Sequence, residues 1–125
     1  FMRVRYLNRV TKVAIVGATG YGGAELVRLL SRHPRVAVSA VTSSRKAGEP
    51  LSGECPWLAS DLVLSAFDPA TVDADVVFLC QESGFAHRVA GELLDRKLKV
   101  VDLSADFRLT DPAAHEAAYG FPRPT

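Results

Sequence analysis

The sequence predicts a doubly wound α/β fold built on a parallel sheet. Three observations predict it. Short β-branched runs alternate with amphipathic stretches of helical period. The runs show little polar alternation, as strands covered on both faces do. The first run enters a glycine-dense turn and leaves it as a helix, in VAIVGATGYGGAELVRLL, Val13–Leu30.

Val13–Val16 reads as a buried strand ending at Gly17. From Tyr21 to Arg32 the residues Ala24, Val27 and Leu30, with Leu26 and Leu29, recur at helical spacing. That helix should stop at His33-Pro34, because the residue before a proline is pushed out of the α region. Arg35–Thr42 is the second strand, and Ser43–Trp57 is a loop punctuated by glycine and proline. DLVLSAF, Asp61–Phe67, reads as a short third strand, and Asp75–Cys80 as a further one. From Gly84 to Arg96, Phe85, Ala86, Val89, Ala90, Leu93 and Leu94 form one helical stripe. Lys99–Ser104 is another strand. The last helix has Asp111 as N-cap, Pro112 at its first position and Gly120 just past its end. YGFPRPT closes the chain with neither strand nor helix and reads as a truncation or a linker.

The 125 residues suit one domain, here 12–125, with 1–11 a basic N-terminal extension or an expression remnant. Apolar residues make up 48%, enough for a core. A net charge of +1 points to no nucleic-acid partner, and no apolar run approaches the roughly 18–20 residues that span a bilayer. Two cysteines make no disulfide framework and suit a reducing, cytoplasmic setting. With three scattered histidines they give no zinc-ligand spacing, so no metal is expected.

Gly17, Gly20 and Gly23 form G-x-x-G-x-x-G between strand and helix. A dinucleotide's pyrophosphate needs a tight turn, a backbone it can approach, and helix N–H groups aimed at it. Glycines at this spacing supply all three, and Thr19 adds a hydroxyl. The pattern implies a Rossmann-like nucleotide fold; a turn built for packing alone is the competing reading. NAD-binding domains usually end the second strand with a carboxylate for the ribose 2′-hydroxyl. Here TSSRKAG, Thr42–Gly48, offers Ser43, Ser44, Arg45 and Lys46, with no carboxylate until Glu49. Hydroxyls and cations suit a 2′-phosphate, so NADP(H) is expected over NAD(H). The competing reading is a solvated basic loop.

These stretches, with DVVFLC followed by SGFA and with VVDLSADFRLTDP (Val100–Pro112), resemble the N-acetyl-γ-glutamyl-phosphate reductase family of arginine biosynthesis. The likeness runs from residue 12 over nearly the whole chain. It implies NADPH-dependent reduction of an acyl phosphate to an aldehyde, with attack by a cysteine thiolate, a thioester, hydride transfer, and a histidine as acid/base. It also implies that Gly17, Thr19, Gly20, Tyr21, Gly22, Gly23, Ser43, Ser44, Arg45, Lys46, Ser83 and Gly84 hold the cofactor, with Ser83 and Gly84, at the C-terminal end of a strand, read as lining its nicotinamide side. Ser104, Asp106 and Arg108, with Ala105, border the acyl-phosphate pocket. The physical reading leaves alternatives beside these roles. Tyr21 could equally cover the helix start, Ser83 could be a helix N-cap, and Asp106 with Arg108 could be a structural pair.

The chain departs from the family in two ways. QESG replaces the Pro-His-Gly type of sequence after the strand ending at Cys80. The family's Asn-Pro-Gly-Cys nucleophile segment and its histidine lie downstream, so this chain should bind cofactor without catalysing by itself. Cys80 reads as a small core residue and Cys55, beside Glu54, as a disfavoured thiolate. His33, His87 and His115 read as surface or capping residues. The aminoadipyl-phosphate reductases of lysine biosynthesis share the motifs, and a non-catalytic NADP-binding sensor or docking module is the reading from another class. The family assembles largely through the absent domain, so a homo-oligomer is expected of the full-length protein.

Overall fold

The computed structural model describes residues 9–123. The remainder of the expected 1–11 extension and the last two residues lie outside the described residues. Four parallel strands form one sheet in the order β2-β1-β3-β4: β1 Thr11–Val16, β2 Val36–Thr42, β3 Val76–Leu79 and β4 Lys99–Asp102. Helices α1 (Tyr21–Leu30), α2 (Leu51–Glu54), α3 (Ala86–Asp95) and α4 (Pro112–Tyr119) occur between and after them, with a 3-10 turn at Pro56–Leu58.

Side chains alternate across a strand, and β1 shows what that does to a central one. Val13 and Ile15 face one core, with Ala24 and Val27 of α1, Val41 and Leu51. Ala14 and Val16 face the other, with Val77, Leu79, and Ala86 and Leu93 of α3. The sheet is thus covered on both faces, the doubly wound arrangement expected, and both sides of β1 must be apolar.

The observed elements differ from the expected ones in informative places. β1 opens at Thr11, two residues early, because the Thr11 N–H donates to the Arg35 carbonyl and the Lys12 N–H to Asp75. The expected third strand at Asp61–Phe67 does not form. Its Ser65 bridges Thr42 in parallel, but its Val63 bridges Pro50 in the opposite sense. The Leu62 and Leu64 carbonyls accept from Leu51 and Gly48, so the Gly48–Leu51 turn takes the pairing a strand needs. The loop at Ser43–Trp57 itself contains α2 and the 3-10 turn. α4 follows the reading closely: the Asp111 carboxylate accepts from the Ala114 N–H, Pro112 opens the helix, and Gly120 closes it at φ +76°.

α3 starts at Ala86, two residues later than the apolar stripe suggested, with no side-chain cap of its own. Ser83 is therefore not its N-cap. The helix start is held from a distance: the Asp106 carboxylate accepts from the Gly84 N–H at 2.7 Å and the His87 N–H at 3.2 Å.

Candidate functional site

β1 and β3 are neighbours whose following helices cover opposite faces of the sheet. Between their carboxyl ends lies the crevice where doubly wound sheets take ligands. A cavity of about 760 Å³ opens there. It is lined by Gly17, Thr19 and Gly20 after β1, Ser43–Lys46 after β2, and Cys80–Ser83, Phe85 and Arg88 after β3. Glu54 of α2 completes the lining.

The glycine turn is dictated by close backbone approach. A Cβ on Gly23 would lie 2.1 Å from the Gly17 carbonyl oxygen. Gly17 has φ +85°, and a Cβ there would press to 3.0 Å on the Cys80 carbonyl oxygen. The third glycine thus lets α1 sit against the strand end, and the first makes the turn beside β3. The Gly17 and Ala18 N–H groups both donate to the Thr42 carbonyl, tying the turn to the end of β2. No side chain caps α1, so its first-turn N–H groups are left to solvent or a ligand. Nearby, the Thr42 hydroxyl is buried with no hydrogen-bond partner among the described residues.

The β2 loop is shaped by Ser43, which is buried and whose hydroxyl accepts from the Arg45 and Lys46 N–H groups at 3.4 and 3.2 Å. That is a serine turn, and it presents the next two side chains at the cavity. Their charges differ in availability. The Lys46 ammonium lies 3.7 Å from Glu49 and 3.5 Å from Glu54, and those two charges raise its pKa. Arg45 makes no ion pair among the described residues. The sequence reading located the cations but not Glu54, which α2 folds back onto Lys46.

Other expected site residues separate into two groups. Ser43, Ser44, Arg45, Lys46, Gly17, Thr19, Gly20 and Ser83 meet at the cavity. Tyr21 is 98% exposed and Gly22 faces Leu103 rather than the cavity. Gly23 serves packing, and the Gly84 N–H is committed to Asp106. Ser104, Asp106 and Arg108 lie outside the cavity lining, beyond β4. Asp106 is fully buried. Burial alone would push its carboxyl up, but the Gly84 and His87 N–H groups outweigh that and hold it below the ordinary value. The suggested Asp106–Arg108 pair is absent: the Arg108 guanidinium donates instead to the Leu103 and Ser104 carbonyls at 3.2 and 3.1 Å. Ser104 receives support from Asp102, to which its hydroxyl donates at 2.9 Å.

Neither cysteine is prepared for nucleophilic work. Burial, then the charge of Asp102, pushes the Cys80 thiol up to about 11. Burial followed by Glu54 also raises Cys55. His115, read as a surface or capping residue, is instead fully buried. Its ring nitrogens lie 2.9 Å from the Ala105 carbonyl and 3.2 Å from that of Phe121, and Tyr119 and Phe121 pack around the ring. Phe85 and Arg88 line the cavity but were missed by sequence reasoning. Their only signal is position: Phe85 precedes, and Arg88 sits in the first turn of, the helix that follows the C-terminal end of a central strand.

Residues 12–123 match the family described as semialdehyde dehydrogenase, NAD binding domain. The chain belongs to that family. Among relatives of this NAD-binding domain, the N-acetyl-γ-glutamyl-phosphate reductase of Methanosphaera stadtmanae is 50% identical over 110 residues, covering 86% of this chain and 32% of that protein. The protein of that name from Pseudomonas syringae pv. syringae is 48% identical over 117 residues, 90% of this chain and 34% of its own. The chain therefore spans about a third of the length of the relatives it matches. Among solved structures, aspartate semialdehyde dehydrogenase with NADP from Candida albicans superposes with TM-score 0.70 at 23% identity, over 92% of this chain and 40% of that one. Aspartate semialdehyde dehydrogenase II complexed with ASA from Vibrio cholerae gives TM-score 0.64 at 20% identity, over 83% of this chain and 34% of that one. At these identities the likeness is one of fold.

Proposed function

We propose that this domain holds NADP(H) for the reduction of N-acetyl-γ-glutamyl phosphate to the corresponding semialdehyde, in arginine biosynthesis. The observation that carries the reading is the joining of the glycine turn and the basic β2 loop in one cavity, in a chain whose relatives at 42–50% identity bear that reductase name. The residues fit the cofactor. Gly17 and Gly20 leave the backbone open to a pyrophosphate, the uncapped start of α1 offers N–H donors, and Arg45 has a guanidinium free for a 2′-phosphate. Bound NADPH would supply the hydride that reduces the acyl carbon to the aldehyde, phosphate having already been displaced by a thiolate outside these residues.

The contribution of this chain is to bind and orient. Thr19 and the α1 amides would hold the diphosphate, while Ser44 and Arg45 would read the 2′-phosphate. Lys46, shared between two carboxylates, is the weaker candidate for that role. Asp106 would act at one remove, fixing the β3–α3 loop that carries Ser83. Burial, then the charge of Asp102, holds the Cys80 thiol up at about 11, so Cys80 stays protonated at neutral pH and is a poor nucleophile. The nucleophile is therefore assigned to the part of the protein outside these residues. The two unpaired cysteines support a cytoplasmic setting. Exposed Val101, Leu103 and Phe107 along and beyond β4 support a homo-oligomer or a packed second domain in the whole protein.

The test is a calorimetric titration with NADPH and NADH. The protein should prefer NADPH, and Arg45→Ala should lower that preference about tenfold or more, as loss of a charge-assisted bidentate contact does. Equal affinity for the two cofactors in the unaltered protein would sink the 2′-phosphate assignment.

A further inference from the structure

Arg88 stands on the third residue of α3 and lines the same cavity as Arg45. Three observations bear on what it does there. First, it makes no ion pair among the described residues, although it shares the cavity lining with Glu82 and Glu54. Second, its guanidinium carbon lies over the Phe85 ring, 5.8 Å from the centroid, within the range of a cation–π contact. Phe85 is itself braced by Phe67, with ring centroids 5.9 Å apart, and both pack against the second core. The cation therefore sits over a ring that is itself braced. Third, the cavity joins the loops after β1, β2 and β3 but none of Ser104, Asp106 or Arg108. It runs from the β2 loop across the glycine turn to the β3 loop and stops short of the residues beyond β4. In a dinucleotide whose pyrophosphate lies on the turn and whose 2′-position lies at the β2 loop, the adenosine sits on the cavity's β2 side, away from the residues beyond β4, within reach of a long side chain from the start of α3.

We propose that Arg88 is the adenine-stacking residue of this site, its guanidinium lying between the Phe85 ring and the base. A guanidinium is flat, weakly hydrated and able to stack on aromatic faces, and here it already lies close to one braced aromatic ring. The division of labour follows: Arg45 discriminates the 2′-phosphate, and Arg88 grips what NADPH and NADH have in common. This inference rests on the reading that the cavity takes a nicotinamide dinucleotide.

The test measures NADPH and NADH affinity by calorimetry in the unaltered protein, Arg88→Ala, Arg88→Lys and Arg45→Ala. Arg88 is exposed, so its variants should unfold within a few degrees of the unaltered protein, which circular dichroism checks. Arg88→Ala should weaken both cofactors by the same factor, about five- to tenfold, leaving their ratio alone. Arg88→Lys should fail to restore binding, since it keeps the charge and loses the plane. Arg45→Ala should change the ratio. Loss confined to NADPH in Arg88→Ala, or full rescue by lysine, would make Arg88 a phosphate contact and overturn the stacking role. Unchanged binding in Arg88→Ala would overturn it while leaving the cofactor assignment intact. Failure of the unaltered protein to bind either cofactor would overturn both.

Discussion

Single residues decide this site mainly through what they leave out. Gly23 is the sharpest case. An added Cβ would sit 2.1 Å from the Gly17 carbonyl oxygen, a backbone atom that cannot swing aside. Gly23→Ala should therefore cost more than about 4 kcal/mol, in the range reserved for severe steric conflict. Gly20→Ala is its control, because the nearest atom to the added carbon is 3.8 Å away. It should cost no more than about 1 kcal/mol. Urea unfolding of the two variants checks the contrast; equal stability would mean that α1 does not sit where the structure puts it. The glycines were legible in the sequence because their spacing is itself the signal. Arg88 was not, because its meaning depends on Phe85 beneath it and on a cavity wall supplied by another strand. His115 was illegible for a similar reason. Its burial comes from Tyr119 and Phe121 closing over it after the helix has turned, and no periodicity encodes that.

Among elements, the regular ones could be read and the negotiated ones could not. β1 and α3 announce themselves by apolar period, since each buries its stripe against the sheet. Asp61–Phe67 has the same apolar appearance, but Gly48–Leu51 competes for its backbone and wins. The start of α3 was misread because its cap, Asp106, is 22 residues from Gly84. That long-range cap makes a prediction about pH. The folded state depresses the carboxyl, so the stabilisation is fully present above the unfolded value, about pH 3.9, and is lost as pH falls through the folded one. Asp106→Asn should cost about 1–3 kcal/mol at pH 7, because an amide cannot accept from both N–H groups with both of its atoms. The variant should also lose part of the acid sensitivity. Denaturant titrations between pH 7 and pH 3 measure both effects; parallel curves for the two proteins would show that Asp106 does not carry the charge of this cap.

At the scale of the whole molecule, the cavity is a joint between three strands rather than a pocket in one element. Its walls are the loops after β1, β2 and β3, with α2 folding Glu54 back onto Lys46. A ligand that touches all of them binds the assembled sheet and has nothing to bind in the unfolded chain. Binding must then stabilise the fold by mass action, by about 2.7 kcal/mol when free ligand is one hundred times its dissociation constant. For a domain of this size that corresponds to a rise in melting temperature on the order of 10 °C. NADH at the same concentration should raise it less, since Arg45 gains nothing from a 2′-hydroxyl. Arg88→Ala should lower both shifts, and Arg45→Ala should bring the NADPH shift down towards that of NADH. Thermal unfolding across a range of cofactor concentrations reads all of these at once. If NADPH binds by calorimetry yet leaves the melting temperature fixed at such an excess, the three loops do not act as one site, and the contact is with a locally mobile segment alone.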